Sequence, residues 1–172
     1  MKKLLSLALA LLLSSMLLAA CSPADDTPPA ELVTFSSENG YELAYPSDLE
    51  PTSFSKEIDF VVMDSHSGTT VTVQSSAKQS GITDISEKAF AEMVAAEGMA
   101  DIDISAFEKR EQNGIPALVV MYTYNENEIT RVIYDAPDKT YLATYTELPG
   151  TVDRIRAGFI PIIYSLSLDS SK

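Results

Sequence analysis

Apolar and polar positions change their period several times along the chain, and each change marks an element. Residues 32–36 and 41–45 read as strands around Asn39 and Gly40, with Tyr41, Leu43 and Tyr45 alternating against Glu42 and Ala44. Asn-Gly between two such runs predicts a hairpin, because both residues tolerate positive φ. Pro46 closes the second strand. A second hairpin is predicted from residues 58–63 and 69–73, with Val71 and Val73 on one face and Thr70 and Thr72 on the other. The segment 64–68, Asp-Ser-His-Ser-Gly, makes its turn.

The period then lengthens. Ala89, Phe90, Met93 and Val94 form a stripe at helical spacing, so a helix is predicted over 85–97, with Asp84 as cap, Glu87 in its first turn and Gly98 as the left-handed stop. Four strands follow as a meander, at 104–111, 115–124, 129–135 and 140–146, separated by turns at Asn113-Gly114, 125–127 and 136–139. The second of these is apolar on both faces. Leu118, Val120 and Tyr122 alternate with Ala117, Val119 and Met121, so both sides should be covered. That places the sheet between two helical layers. A last helix is predicted from Thr151, with Val152, Ile155, Phe159 and Ile162 on one face. Pro161 should kink it or end it near Ile160, at about 3 kcal/mol for an interior proline. Leu166 and Leu168 add a short terminal strand.

The first residues follow a different logic. Met1, Lys2 and Lys3 lead into an apolar run, residues 4–20, broken only by Ser6, Ser14 and Ser15. A basic head, an apolar middle and a small-residue end make a secretory signal. The run is close to the lower limit for a spanning helix, about 17 residues, so length alone leaves an anchor open. Leu18-Ala19-Ala20-Cys21 resembles the bacterial lipobox, and Cys21 is the one cysteine in the chain. That resemblance implies a diacylglyceryl thioether on Cys21 and cleavage before it. Two acyl chains are enough for stable anchoring. The expected organisation is a signal peptide at 1–20, lipidated Cys21 with a tether through 31, and one α/β domain at 32–169. The expected location is the extracytoplasmic side of a cell membrane or outer membrane. With Cys21 lipidated no thiol is left for a disulfide. The tether carries Pro23, Pro28 and Pro29 with Asp25, Asp26 and Glu31, and no large apolar side chain. An extended chain of that kind reaches about 3.1 Å per residue, or about 30 Å in all.

Charge narrows the partners. The formal net charge is −13, and loss of Lys2 and Lys3 with the signal lowers it by two more. No basic patch is visible, so nucleic acid is not an expected partner, and anionic headgroups should repel the domain.

Candidate chemistry is sparse. His66 is the single histidine and sits within the 64–68 turn, where turn chemistry already explains the segment. Asp64 beside it would give two ligands, short of a closed metal site. No Gly-x-Ser-x-Gly elbow occurs, and no phosphate-cradling glycine loop. Asp101, Asp103 and Ser105 superficially suggest a calcium loop, but Ala106 and Gln112 stand where glycine and glutamate are needed. Tyr122 and Tyr124 share a strand face, as do Tyr141 and Tyr145. Packing explains them, and the competing reading is an aromatic binding face. No catalytic residue, cofactor or metal is assigned.

The order of elements resembles the PsbP-like family, which includes the extrinsic subunit of photosystem II and shares its fold with a Ran-binding transport regulator. The resemblance rests on residues 40–47, Gly-Tyr-Glu-Leu-Ala-Tyr-Pro-Ser, on a helix after two hairpins, on the long meander with residues 141–146, and on residues 162–168. It implies an α+β fold, an α-β-α sandwich with a central antiparallel sheet flanked by helices, and action mainly by binding proteins. The expected function is therefore a non-enzymatic interaction module with an envelope protein partner. A small-ligand or ion carrier with a pocket between sheet and helix is the alternative, and an envelope enzyme the third reading.

Overall fold

The structure, a computed structural model, describes residues 30–168. Cys21, the predicted signal peptide and most of the predicted tether lie outside the described residues. The chain runs through β1 (Leu32–Ser36), β2 (Tyr41–Pro46), β3 (Ile58–Met63), β4 (Thr70–Ala77), a 3-10 turn (Ile82–Asp84), α1 (Glu87–Ala96), β5 (Asp103–Gln112), β6 (Ile115–Tyr124), β7 (Asn127–Asp135), β8 (Lys139–Glu147), α2 (Asp153–Tyr164) and β9 (Ser167–Leu168).

Two sheets form. The larger has six strands in the order β3-β4-β8-β7-β6-β5, and the smaller has three in the order β1-β2-β9. Every pairing is antiparallel. The hairpin β3-β4 joins the meander through β8, with Val71 opposite Tyr145 and Val73 opposite Ala143. The local turns behave as their residues require. Asn113 and Gly114 both take positive φ, at 52° and 77°, which gives the turn the hand of the strands it joins. At the β3-β4 turn, Asp64 Oδ2 accepts the Ser67 N–H at 2.7 Å, and a Cβ at Gly68 would meet Leu148 at 2.7 Å.

β6 is covered on both faces, as its two-faced pattern required. One face of the larger sheet carries Phe60, Val62, Val71, Val73, Ala117, Val119, Tyr134, Tyr141 and Tyr145, packed against Tyr41 and Leu43 of β2 and Phe159, Ile162 and Ile163 of α2. The opposite face carries Leu118, Val120, Tyr122, Ile129 and Ile133, packed against Phe90 and Val94 of α1.

Two helix boundaries differ from the sequence reading. The cap of α1 is Ser86, not Asp84: its Oγ accepts the Ala89 N–H at 3.2 Å. Ile85 stays extended just outside the helix and packs on the cluster that holds Phe90, a hydrophobic staple that fixes the entry angle. The far end is as expected. Gly98 has φ 96°, and the Gly98 and Met99 N–H groups donate to Ala95 and Val94, closing a Schellman motif. The second difference is that α2 does not end near Ile160 but runs through Pro161 to Tyr164. Ile162, Ile163 and Leu166 beyond the proline are at most 1 % exposed. At about 1.5–3 kcal/mol for each buried side chain, their burial outweighs the ~3 kcal/mol of the proline. The expected apolar face of α2 is also shorter than predicted: Phe159 and Ile162 are buried, Ile155 is half-buried, and Val152 is exposed.

Candidate functional site

His66 sits at the tip of the β3-β4 turn with its side chain 95 % exposed, 4.0 Å from Asp64. The hydroxyl and N–H of Ser67 hold the Asp64 carboxyl below its usual range. The pair builds a turn; Ser65 Oγ lies 3.4 Å from His66 Nδ1 at the same exposed tip, and no third metal ligand joins the pair among the described residues. Asp101 takes φ 60° in the approach to β5, and Asp103 is the first residue of that strand. Among the described residues no three His, Cys, Asp or Glu side chains converge as metal ligands.

The tyrosines are mostly core. Tyr122, Tyr141 and Tyr145 are 2–3 % exposed, and burial pushes each phenol upward. Tyr124 is half-buried and donates to the Gly98 carbonyl at 3.2 Å. The aromatic binding face read as the alternative is therefore absent at Tyr122, Tyr141 and Tyr145.

Two carboxylates gather polar side chains, and both act as braces. Asp59 accepts from Ser37 Oγ, from Asn39 Nδ2 at 3.0 Å and from Tyr41 Oη at 2.5 Å. Lys139 Nζ and Tyr141 Oη reach the Asn39 carbonyl at 2.9 and 3.0 Å. This network pins the tip of the first hairpin to the larger sheet. Burial, then the Asp59 carboxylate, raise the Tyr41 phenol far above its ordinary value. Glu147, 6 % exposed, accepts from Arg156 Nε at 2.8 Å and from Tyr145 Oη at 2.7 Å, while Arg156 Nη2 binds its other oxygen. The guanidinium holds the Glu147 carboxyl below its usual range.

The open surface features lie elsewhere. The α1 face of the larger sheet is covered on one half only. α1 packs over residues of β5, β6 and β7, and from β8 only Leu142 reaches its cluster. The remaining half presents Met63, Thr70, Thr72, Gln74, Thr144 and Thr146. Cross-strand register places Thr72 opposite Thr144, Thr70 opposite Thr146 and Met63 opposite Thr70. Met63 is 62 % exposed, Gln74 is exposed, and the four threonines are half-buried. The boundary with α1 is Arg131, beside Thr144 on the next strand. Arg131 is 7 % exposed; its Nη2 donates to Glu97 at 2.7 Å, and its guanidinium lies 5.8 Å from the Tyr122 ring centroid. Its Nε and Nη1, and Tyr122 Oη, are buried without a partner among the described residues.

A second feature is a trough of about 510 Å³ between α2 and the β1-β2 hairpin, floored by Leu32, Pro46, Leu49, Ile155, Phe159 and Pro161. Arg154 stands on its rim and also lines a smaller depression of about 340 Å³ beside the 64–68 turn. The trough lies where the described chain begins, since Ala30 is part of its wall. It falls in the size range of ligand pockets, about 300–1,000 Å³.

A pocket between sheet and helix is expected under the carrier alternative, but the sequence assigns residues to neither surface. A signal for the first was present: β4 and β8 carry threonine on one face only, whereas β6 is apolar on both.

No protein-family model matches the chain, and no curated protein matches it in sequence. Solved structures do match in shape. The solution structure of cyanobacterial PsbP (CyanoP) from Synechocystis sp. PCC 6803 is similar with a TM-score of 0.60 at 18 % identity, over 86 % of this chain and 98 % of that one. The Saccharomyces cerevisiae Ran-binding protein Mog1p is similar with a TM-score of 0.56 at 8 % identity, over 83 % of this chain and 97 % of that one. The chain thus has a PsbP-like α+β fold, with an antiparallel sheet between helical layers.

Proposed function

We propose that this protein is a lipoprotein held by Cys21 at the extracytoplasmic side of a cell membrane or outer membrane, and that it works there as a non-enzymatic interaction module. The observation that carries the interaction reading is the open half of the α1 face. A six-stranded sheet is about 29 Å wide at about 4.8 Å per strand, and one helix of about 10–12 Å diameter covers less than half of it. The half beyond α1 offers half-buried Thr70, Thr72, Thr144 and Thr146 with Leu142, buried Val61 and exposed Met63, bounded by α1 and the Arg131–Glu97 pair. A protein partner of the envelope fits that shelf with apolar contacts at Met63 and Leu142 and hydrogen bonds to the threonines. The similar fold of a Ran-binding protein supports a binding role. The lipobox-like end of the leader supports the location.

The test is site-specific photocrosslinking in intact cells. A photoreactive residue at Thr72 should capture one defined protein, and Thr144→Arg on the same shelf should abolish that capture while leaving the circular dichroism spectrum unchanged. A crosslinking pattern at Thr72 no different from that at Glu111, an exposed residue on β5 at the opposite edge of the sheet, refutes the reading.

A further inference from the structure

The trough between α2 and the first hairpin has a location that the interaction reading does not use. Ala30 and Leu32 line it, and Ala30 is the first described residue after the Cys21 segment of the chain. Ala30 is nine steps along the chain from Cys21, a reach of about 28 Å at about 3.1 Å per residue. Exposed apolar side chains stand in the trough and in the depression next to it. Leu32, 63 % exposed on β1, lines the trough, and Val152, 59 % exposed just before α2, lines the smaller depression that shares Arg154 and Ile155 with it. Leu49 and Pro161 add apolar floor to the trough. Arg154 is exposed on the rim and has no ion-pair partner among the described residues.

From these positions we infer that the trough end of the domain beds on the surface of the bilayer that holds its anchor, with Leu32 and Val152 entering the interface and Arg154 taking a lipid phosphate. The inference rests on the reading that Cys21 carries lipid. Apolar side chains beside a cation are what an interfacial contact needs. A short tether makes the contact intramolecular, at an effective concentration in the millimolar range, so weak interfacial affinity is enough to orient the domain. The acidity of the chain sets the lipid preference. Asp48 lines the trough beside Arg154, and the net charge is −13, so a zwitterionic surface is favoured over an anionic one. Bedded this way, the domain has its α2 side toward lipid and the threonine shelf, on the other side of the sheet, free for a protein.

The chain contains no tryptophan, which makes single-tryptophan variants clean reporters. Leu32→Trp, Val152→Trp and Phe54→Trp are each expressed as the whole chain in a bacterium, purified in detergent and reconstituted into phosphatidylcholine vesicles. Phe54 is 80 % exposed and lies near Ile58, at the other end of β3 from the 64–68 turn. Tryptophan at 32 and 152 should shift to shorter wavelength and lose access to an aqueous quencher when vesicles are present, whereas tryptophan at 54 should not change. Adding phosphatidylglycerol or Arg154→Gln should reduce the shift. Equal emission at all three positions overturns the inference. So does a blue shift at 32 already present without vesicles, which would mean that the chain's own residues 22–29 fill the trough. A shift that grows with protein concentration alone would mean a second copy does, and is equally fatal. Mass analysis of Cys21 separates the two levels. If the cysteine is unmodified the anchoring reading fails, and the same three variants, coupled through the Cys21 thiol to maleimide-bearing lipid, still decide whether this end of the domain beds on a bilayer.

Discussion

The two faces of the larger sheet are built to different depths. Among the described residues, nineteen buried side chains form the cluster between the sheet, α2 and β2, whereas seven form the cluster under α1. The difference begins in the strands. β7 and β8 give the α2 side Tyr134, Tyr141, Ala143 and Tyr145, while β4 and β8 give the other side Thr70, Thr72, Thr144 and Thr146. Apolar burial is the dominant stabilising term in folding, so the first face holds the fold and the second is free to serve as a surface. α1 is correspondingly the lighter attachment, held by Phe90 and Val94, by its caps and by the Glu97–Arg131 pair.

The comparison is broken most directly by emptying each core in turn. Phe159→Ala on the α2 side should cost about 3–5 kcal/mol and shift the whole urea transition. Val94→Ala on the α1 side should cost about 2 kcal/mol. Native-state hydrogen exchange should then show the amides of α1 opening well before those of α2. Equal protection of the two helices would contradict the asymmetry.

A smaller effect sharpens it through pH. The folded-state pKa of Glu147 lies below its unfolded value, chiefly through the hydrogen bond from Arg156. Its contribution is therefore present above the unfolded carboxylate pKa and is lost as pH falls through the folded one. Glu147→Gln should destabilise at neutral pH by about 1.5–3 kcal/mol, the scale of a hydrogen bond to a charged group. The gap from the parent should close below about pH 4, the ordinary glutamate range, as urea midpoints across the acid range would show. The smallest effect is at the helix start: Ser86→Ala should cost about 1 kcal/mol and further lower the protection of α1, whereas Asp84→Ala should leave it unchanged.

That last pair shows where the sequence was and was not legible. The elements with local codes were plain: the Asn113-Gly114 turn, the Gly98 stop, the terminal strand at Leu168 and the two-faced β6. Asp84 and Ser86 are equally good caps by type. What separates them is Ile85, whose burial against a cluster assembled from β6 and β7 draws it out of the helix. Pro161 likewise reads as a kink or a stop, and the choice is open until Ile162, Ile163 and Leu166 are known to be buried. The separate three-stranded sheet depends on Tyr41 meeting Leu168, a contact with no local signal. The threonine shelf was half-legible, since one-faced strands were visible but not that β4 and β8 would lie side by side beyond the reach of α1. The trough was legible only as a pocket between sheet and helix with no residues assigned, because its walls exist only where the helix and the first hairpin fail to meet.

The pairing of β9 has a practical consequence. Leu32 lies opposite Pro46 at one end of β2, and Leu168 lies opposite Tyr41 at the other. Six residues of strand, roughly 20 Å at about 3.3 Å each, therefore separate the point where the polypeptide enters this small sheet from the point where it leaves. The described chain therefore enters and leaves this small sheet at opposite poles, and a handle on the C-terminal side follows on from the pole remote from Leu32. Reporters for living cells belong there.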